Sequence, residues 1–185
     1  MSENKVHVVE TFEDKDERKA MWHNTITTVG LVTSQLNGKE NVMACEWAIQ
    51  ISFNPPLYLI VVGKSKATAE FIIKTGEFGL TFASDEQATL SHVSGSYSAY
   101  KHDKIATNIF PLQAGKTILA PIIKEGMIAV ECKVIQMIEV EGRFIFIGEA
   151  KYAEYRDDKK PLLYHAGKYF SLGKQIPKPV LDLDI

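Results

Sequence analysis

Asn41-Val42-Met43-Ala44-Cys45-Glu46-Trp47-Ala48-Ile49-Gln50-Ile51-Ser52-Phe53-Asn54-Pro55-Pro56 is a strand-forming run that stops at a double proline. Its apolar residues suit a pleated, half-buried surface, and two prolines cannot continue a ladder, so the run reads as one strand that ends in a turn. Thr68 follows twelve residues after Pro56, in Lys64-Ser65-Lys66-Ala67-Thr68-Ala69-Glu70-Phe71. That segment predicts a helix with free amide donors and a hydroxyl at its entrance, a place for an anion such as phosphate.

On the N-terminal side, Ile26 to Gln35 is rich in Thr and Val and predicts a strand, with Asn37-Gly38 as the turn of a hairpin into the Asn41 strand. On the C-terminal side, Leu57 to Val62 is continuously apolar and predicts a strand buried on both faces. Phe71 and Ile72 belong to a short helix that stops at Gly76, and Phe78 to Phe82 is another strand. Ser84 and Gln87 form a capping box, opening a helix that Gly95 closes. From Ile128 to Val140 apolar residues alternate with Glu131, Lys133 and Glu139; Glu141-Gly142 turns the chain, and Phe144 to Tyr155 returns as the second arm of a long hairpin. Many antiparallel strands with few short helices predict a mainly β, closed barrel rather than a doubly wound sheet.

The bulk properties narrow the function. The chain has 185 residues, 45% hydrophobic and 24% charged, which suits one globular domain, and its net charge of -2 gives no basic surface for nucleic acid or an anionic membrane. Cys45 and Cys132 lie far apart without metal-ligand spacing and read as core thiols; the five histidines are scattered, so no metal is expected. No Gly-x-Gly, complete P-loop or Gly-x-Ser-x-Gly elbow occurs, which leaves dinucleotide fingerprints and hydrolytic nucleophiles without an anchor. No apolar signal region or bilayer-length run is present, so a cytoplasmic protein is expected. The mixed-charge run from Glu13 to Lys19 reads as a solvated helix or loop.

Further segments keep a recognisable order: Gly95-Ser96-Tyr97-Ser98-Ala99-Tyr100-Lys101-His102-Asp103-Lys104-Ile105, then 121–134, Ile145-Phe146-Ile147-Gly148-Glu149-Ala150, and 161–173. Together with the Asn41 strand and the Thr68 helix, this series resembles the flavin reductase-like family of FMN-binding split barrels, closest to its flavoredoxin branch. The resemblance covers residues 20–173, leaving 1–19 as a charged N-terminal extension and 174–185 as a tail.

The resemblance implies an antiparallel, Greek-key FMN-binding split β-barrel. It implies FMN as cofactor, with Asn41 and Trp47 against the ring and the backbone from Glu46 to Ala48 along its N5 and carbonyl edge. The Glu46 side chain reads either as a solvated carboxylate or as a proton donor. Thr68, with Ser65 as a second donor, and Lys104 are implied as phosphate contacts. Tyr169 or Phe170 is implied to cover the ring. Arg143 stands where many NAD(P)H-dependent members carry a histidine, so the cation is kept and the titratable imidazole is lost. The implied activity is an oxidoreductase taking electrons from NADH, NADPH or a protein donor to a small acceptor. It would be a homodimer, with the proline-spaced tail wrapping a neighbour. A non-catalytic FMN-binding or storage module and an empty assembly barrel are the alternatives. The sequence singles out no catalytic residue.

Overall fold

The computed structural model describes residues 7–9 and 11–176. The tail expected to wrap a neighbour, from Pro177 on, lies outside them. In chain order the elements are α1 (Lys15–His23), β1 (Ile26–Thr28), β2 (Gly30–Leu36), β3 (Lys39–Cys45), β4 (Ala48–Phe53), β5 (Pro56–Gly63), α2 (Ala67–Thr75), β6 (Glu77–Phe82), α3 (Ala88–Ser96), β7 (Leu112–Gln113), β8 (Ile122–Ile123), β9 (Ile128–Val140), β10 (Arg143–Tyr155), β11 (Leu162–His165) and β12 (Lys168–Ser171). Seven strands form one antiparallel sheet in the order β3-β2-β6-β9-β10-β5-β4, accompanied by a β1-β11-β12 sheet and the β7-β8 pair. This is the mainly β, split-barrel architecture expected.

The opening stretch departs from its sequence reading in an informative way. The expected single strand is two, broken at Glu46-Trp47, and the halves do not pair: β3 and β4 are the opposite edges of the seven-stranded sheet. The sheet therefore curls until its edges meet at this bend. The Val61 amide donates to the Trp47 carbonyl at 3.0 Å, and the Cys45 thiol lies 3.5 Å from the Val61 carbonyl oxygen. Gly30 is required at the seam, because a Cβ there would stand 2.8 Å from the Ala48 Cβ. Pro55-Pro56 does not end the structure but turns it, and β5 begins at Pro56.

Inside the barrel, Val32, Tyr58, Ile60, Val62, Phe78, Leu80, Val130, Cys132 and Phe146 form one buried cluster. A second, with Leu31, Val42, Phe110, Ile123 and Leu162, fills the space on the other face of β2 and β3. β5 is buried on one face only, with Tyr58, Ile60 and Val62 inward and Leu57, Leu59 and Val61 half-buried outward. That corrects the fully buried strand expected from its apolar run: the period is two, but both faces are apolar.

The local signals largely hold. Asn37 (φ 51°) and Gly38 (φ 78°) make the hairpin turn, Gly76 (φ 70°) ends α2, and the Ser84–Gln87 capping box is present. Gly95 does not close its helix; α3 runs on to Ser96. The Ile26–Gln35 strand is broken at Val29, so that β1 pairs with β11 and β2 with β3 and β6. The Glu13–Lys19 run leads into α1, capped by the Asp14 carboxylate on the amides of Asp16 and Glu17, and α1 crosses the boundary expected after residue 19.

Two buried carboxylates tie the 115–120 loop to the barrel. Glu131 of β9, fully buried, accepts the amides of Lys116 (2.7 Å) and Thr117 (2.5 Å) and the Thr117 hydroxyl (2.6 Å). Glu77 of β6 accepts the amides of Leu119 (2.5 Å) and Ala120 (3.4 Å) and pairs with Lys133. Burial pushes the Glu131 carboxyl up, but the Thr117 and backbone hydrogen bonds outweigh it and hold the group below the usual carboxylate range. A depressed carboxylate stabilises the fold above its unfolded pKa, and that contribution is lost as pH falls through the lower folded value. Glu131→Gln is therefore expected to cost about 1.5–3 kcal/mol at pH 7. The gap from wild type should narrow on acidification, as read by urea unfolding between pH 7 and pH 3.

Candidate functional site

The barrel interior is filled, so the two-residue bend at the seam sends its side chains outward. They meet α1, which crosses in front of the seam, and enclose a cavity of about 760 Å³ lined by Arg18, Lys19, Trp22, Met43, Ala44, Cys45, Glu46, Trp47, Val61, Gly63, Lys66 and Arg143. This lies within the range of about 300–1,000 Å³ for cofactor and small-molecule sites. Trp22 stands edge-on to Trp47, with ring centroids 5.4 Å apart and planes at 87°. The Arg143 guanidinium carbon lies 4.2 Å from the Trp47 centroid, a cation–π contact that holds the indole flat against the wall. Four cations, Arg18, Lys19, Lys66 and Arg143, face one carboxylate, Glu46, so the cavity favours an anionic guest.

On the other side of the bend a second cavity of about 360 Å³ lies between Ala44–Glu46, the Ser91–Ser96 face of α3, and Tyr164 and Tyr169, whose rings are 5.3 Å apart. A third, about 80 Å³, lies between Glu46, His23, Thr27 and His165. Cys45 is buried where the two larger cavities meet, and burial pushes its thiol up to about 11.

Of the residues singled out in the sequence, Glu46, Trp47 and Arg143 come together on the large cavity, and Tyr169 lines the second. Phe170 does not line these cavities; with Tyr169 it borders a separate cleft beside Asp85 and Glu86. Ala48 is buried at the seam, and Ser65 is exposed in the turn before α2.

Asn41 and Thr68 lie behind the cavity wall, 3% and 1% exposed, with the Asn41 amide donating to the Thr68 hydroxyl at 2.8 Å. They join β3 to α2, and neither is among the residues that line the large cavity. Thr68 does not cap α2 either; the cap position is Lys66, and no side-chain cap bond forms. The Asn41 Oδ1 and the Ser34 hydroxyl beside it are buried without partners, so this cluster keeps unused hydrogen-bonding capacity.

The residues missed were Arg18, Lys19 and Trp22 of α1 and Lys66. Their signals were present: positions 18, 19 and 22 share a helix face, and Lys66 begins the helix already read as an anion site.

The family model described as "Flavin reductase like domain" matches residues 21–173. A flavin reductase of Pseudomonas putida is 26% identical over 72% of this chain and 75% of that protein. A ferric-chelate reductase (NAD(P)H) of Archaeoglobus fulgidus is 24% identical over 72% of this chain and 79% of that protein. The crystal structure of flavoredoxin from Methanosarcina acetivorans matches with a TM-score of 0.76 and 26% identity, covering 85% of this chain and 90% of that one.

Lys104 shows how the wall is held. Its ammonium is buried and donates to the carbonyls of Val42 and Ser94, fastening the 105–107 turn to β3 and α3 rather than lining the cavity. Burial, followed by the nearby Lys66 charge, lowers its pKa from 10.5 to about 8. Between those values the unfolded chain binds a proton that the folded chain has released, so stability from this group rises with pH across that window. Lys104→Met should abolish this rise. Unfolding midpoints of both proteins at pH 7 and pH 10 test it: the variant is expected to be weaker at pH 7 through loss of two carbonyl contacts, without wild type's relative gain at pH 10.

Proposed function

The chain belongs to the flavin reductase like domain family, and we propose that it is a flavin-dependent oxidoreductase that binds FMN across the Glu46–Trp47 bend. The observation that carries this reading is the cationic, tryptophan-walled cavity at the seam. Its volume, its flat apolar faces and its excess of positive charge fit a planar ring bearing a phosphate. Trp22, Trp47 and Tyr169 would hold the ring, while Lys66, the first amides of α2 and Arg143 would hold the phosphate. Bound flavin supplies reversible electron transfer; the protein supplies position and charge.

The electron donor in this reading is NADH or NADPH, and the acceptor is a small molecule. A second reading, a carrier fed by a protein donor, is favoured by Arg143, which cannot move a proton near neutral pH, and by the likeness to a flavoredoxin.

We further propose a cytoplasmic homodimer. Strand register places Ile49, Leu59, Ile147, Val61, Ile145 and Ile138 on the outer face of β4-β5-β10-β9, opposite Tyr58, Ile60 and Phe146. This face is uncovered in the single chain, with Ile49 57% and the nearby Phe53 89% exposed. A solvated antiparallel sheet would carry polar residues there. Val61 and Arg143, on the same side, also line the cavity, so a second copy seated there would help to enclose it.

An anaerobic visible spectrum of the purified protein, before and after NADH and then NADPH, tests the function. Prompt bleaching of a flavin band is expected for the first reading; bleaching only by dithionite selects the carrier. No flavin band after reconstitution with FMN refutes both. Arg143→Ala is expected to weaken FMN binding about tenfold, equivalent to about 1.4 kcal/mol, as measured by flavin fluorescence titration.

A further inference from the structure

Three cavities meet at one side chain. Glu46 lines the large cavity with Trp22 and Arg143, the second with Tyr169, and the small one between α1 and β11. At about 30 Å³ per liquid water, the 80 Å³ of the small cavity suffices for two waters. Its lining is polar: the Thr27 hydroxyl there is buried without a partner, and His23 and His165 stand across from Glu46. His165 is held in place through its Nδ1, 2.9 Å from the Thr25 carbonyl oxygen. Glu46 is also the one carboxylate on these three linings among the described residues.

We propose that Glu46 is the proton donor of the site, passing protons from the His23–His165 side of the bend to the ligand on the other. The proposal rests on the reading that the ligand is a flavin. Hydride from a reduced nicotinamide nucleotide brings two electrons and one proton equivalent, and Glu46 supplies the second proton. Its O–H bond breaks, an N–H bond forms on the ring, and the carboxylate left behind regains a proton from solvent by way of the small cavity and the half-exposed His23.

This assignment also answers what Arg143 leaves open, because a guanidinium cannot donate a proton whereas a half-buried carboxyl can. Burial raises the Glu46 pKa, with the Trp22 indole and the His23 charge pulling it part of the way back. The groups facing it are Arg18, Lys19, Trp22 and His23 from α1, Lys66 at the start of α2, Tyr164 and His165 from β11, Tyr169 from β12, His92 from α3 and Arg143 from β10.

The first test uses the protein without flavin. Both tryptophans of the chain, Trp22 and Trp47, adjoin Glu46, so their fluorescence between pH 4 and pH 9 should show a transition above the ordinary 4.5 of a glutamate. The transition should disappear in Glu46→Gln, and His23→Asn should move it upward. The second test is anaerobic reduction of the FMN-loaded proteins by NADH. The wild-type rate is expected to fall as pH rises through that midpoint. Glu46→Gln is expected to be slower by about 10²–10⁴-fold, with no such limb, and Glu46→Asp to restore part of it. A fluorescence transition that persists in Glu46→Gln, or an unchanged rate profile in a variant that binds FMN, overturns the assignment. Failure of wild type and variant alike to take up FMN overturns the flavin reading and the ring-directed step with it, even where the fluorescence transition is lost in Glu46→Gln.

Discussion

The structure depends on the shortness of one connection. β3 and β4 are the two edges of a seven-stranded sheet, yet only Glu46 and Trp47 separate them. In a flat sheet, six spacings of about 4.8 Å would place those edges about 29 Å apart. The three peptide steps from Cys45 to Ala48 reach only about 10 Å. The sheet has no choice but to close, and the barrel is the consequence of that tether as much as of its packed interior.

Closure then determines where chemistry is possible. With Val32, Ile60, Phe78 and Phe146 filling the inside, nothing polar can enter the barrel, and the groups at the tether must face outward. Polar groups that do lie deeper are committed to the scaffold: Lys104 to two carbonyls, Asn41 to Thr68, Glu131 and Glu77 to the loop at 115–120. What remains on the cavity walls is a tryptophan pair, an arginine laid on one of the indoles, and cations from two helix segments. The division leaves Lys104 in the wall, its ammonium on the carbonyls of Val42 and Ser94.

Most of the fold was legible because its signals are local. The Asn37-Gly38 turn, the Ser84–Gln87 box, the Gly76 stop and the long hairpin about Glu141-Gly142 each depend on a few neighbouring residues. The break at Glu46-Trp47 was not legible, since both halves are good strand formers and only the distant β5 decides that the chain must turn there. The site divided in the same way. Glu46, Trp47 and Arg143 were named through the family resemblance, and the connections they lie on bring them to one cavity. Arg18, Lys19 and Trp22 were missed because a charged helix becomes a cavity wall only when tertiary packing sets it opposite the seam. The burial of Thr68 and Lys104 likewise follows from β3 and α3 packing over them, which no periodicity within their own segments announces.

Cys45 sits where the two larger cavities join, a position where sulfur chemistry would be hazardous beside any redox centre that meets oxygen. With its thiol pushed up to about 11 by burial, little thiolate is present near neutral pH, and the thiolate is the form that peroxide attacks. Burial at the barrel seam thus makes this cysteine a poor nucleophile, so the wall keeps a small, polarizable side chain with little thiolate character.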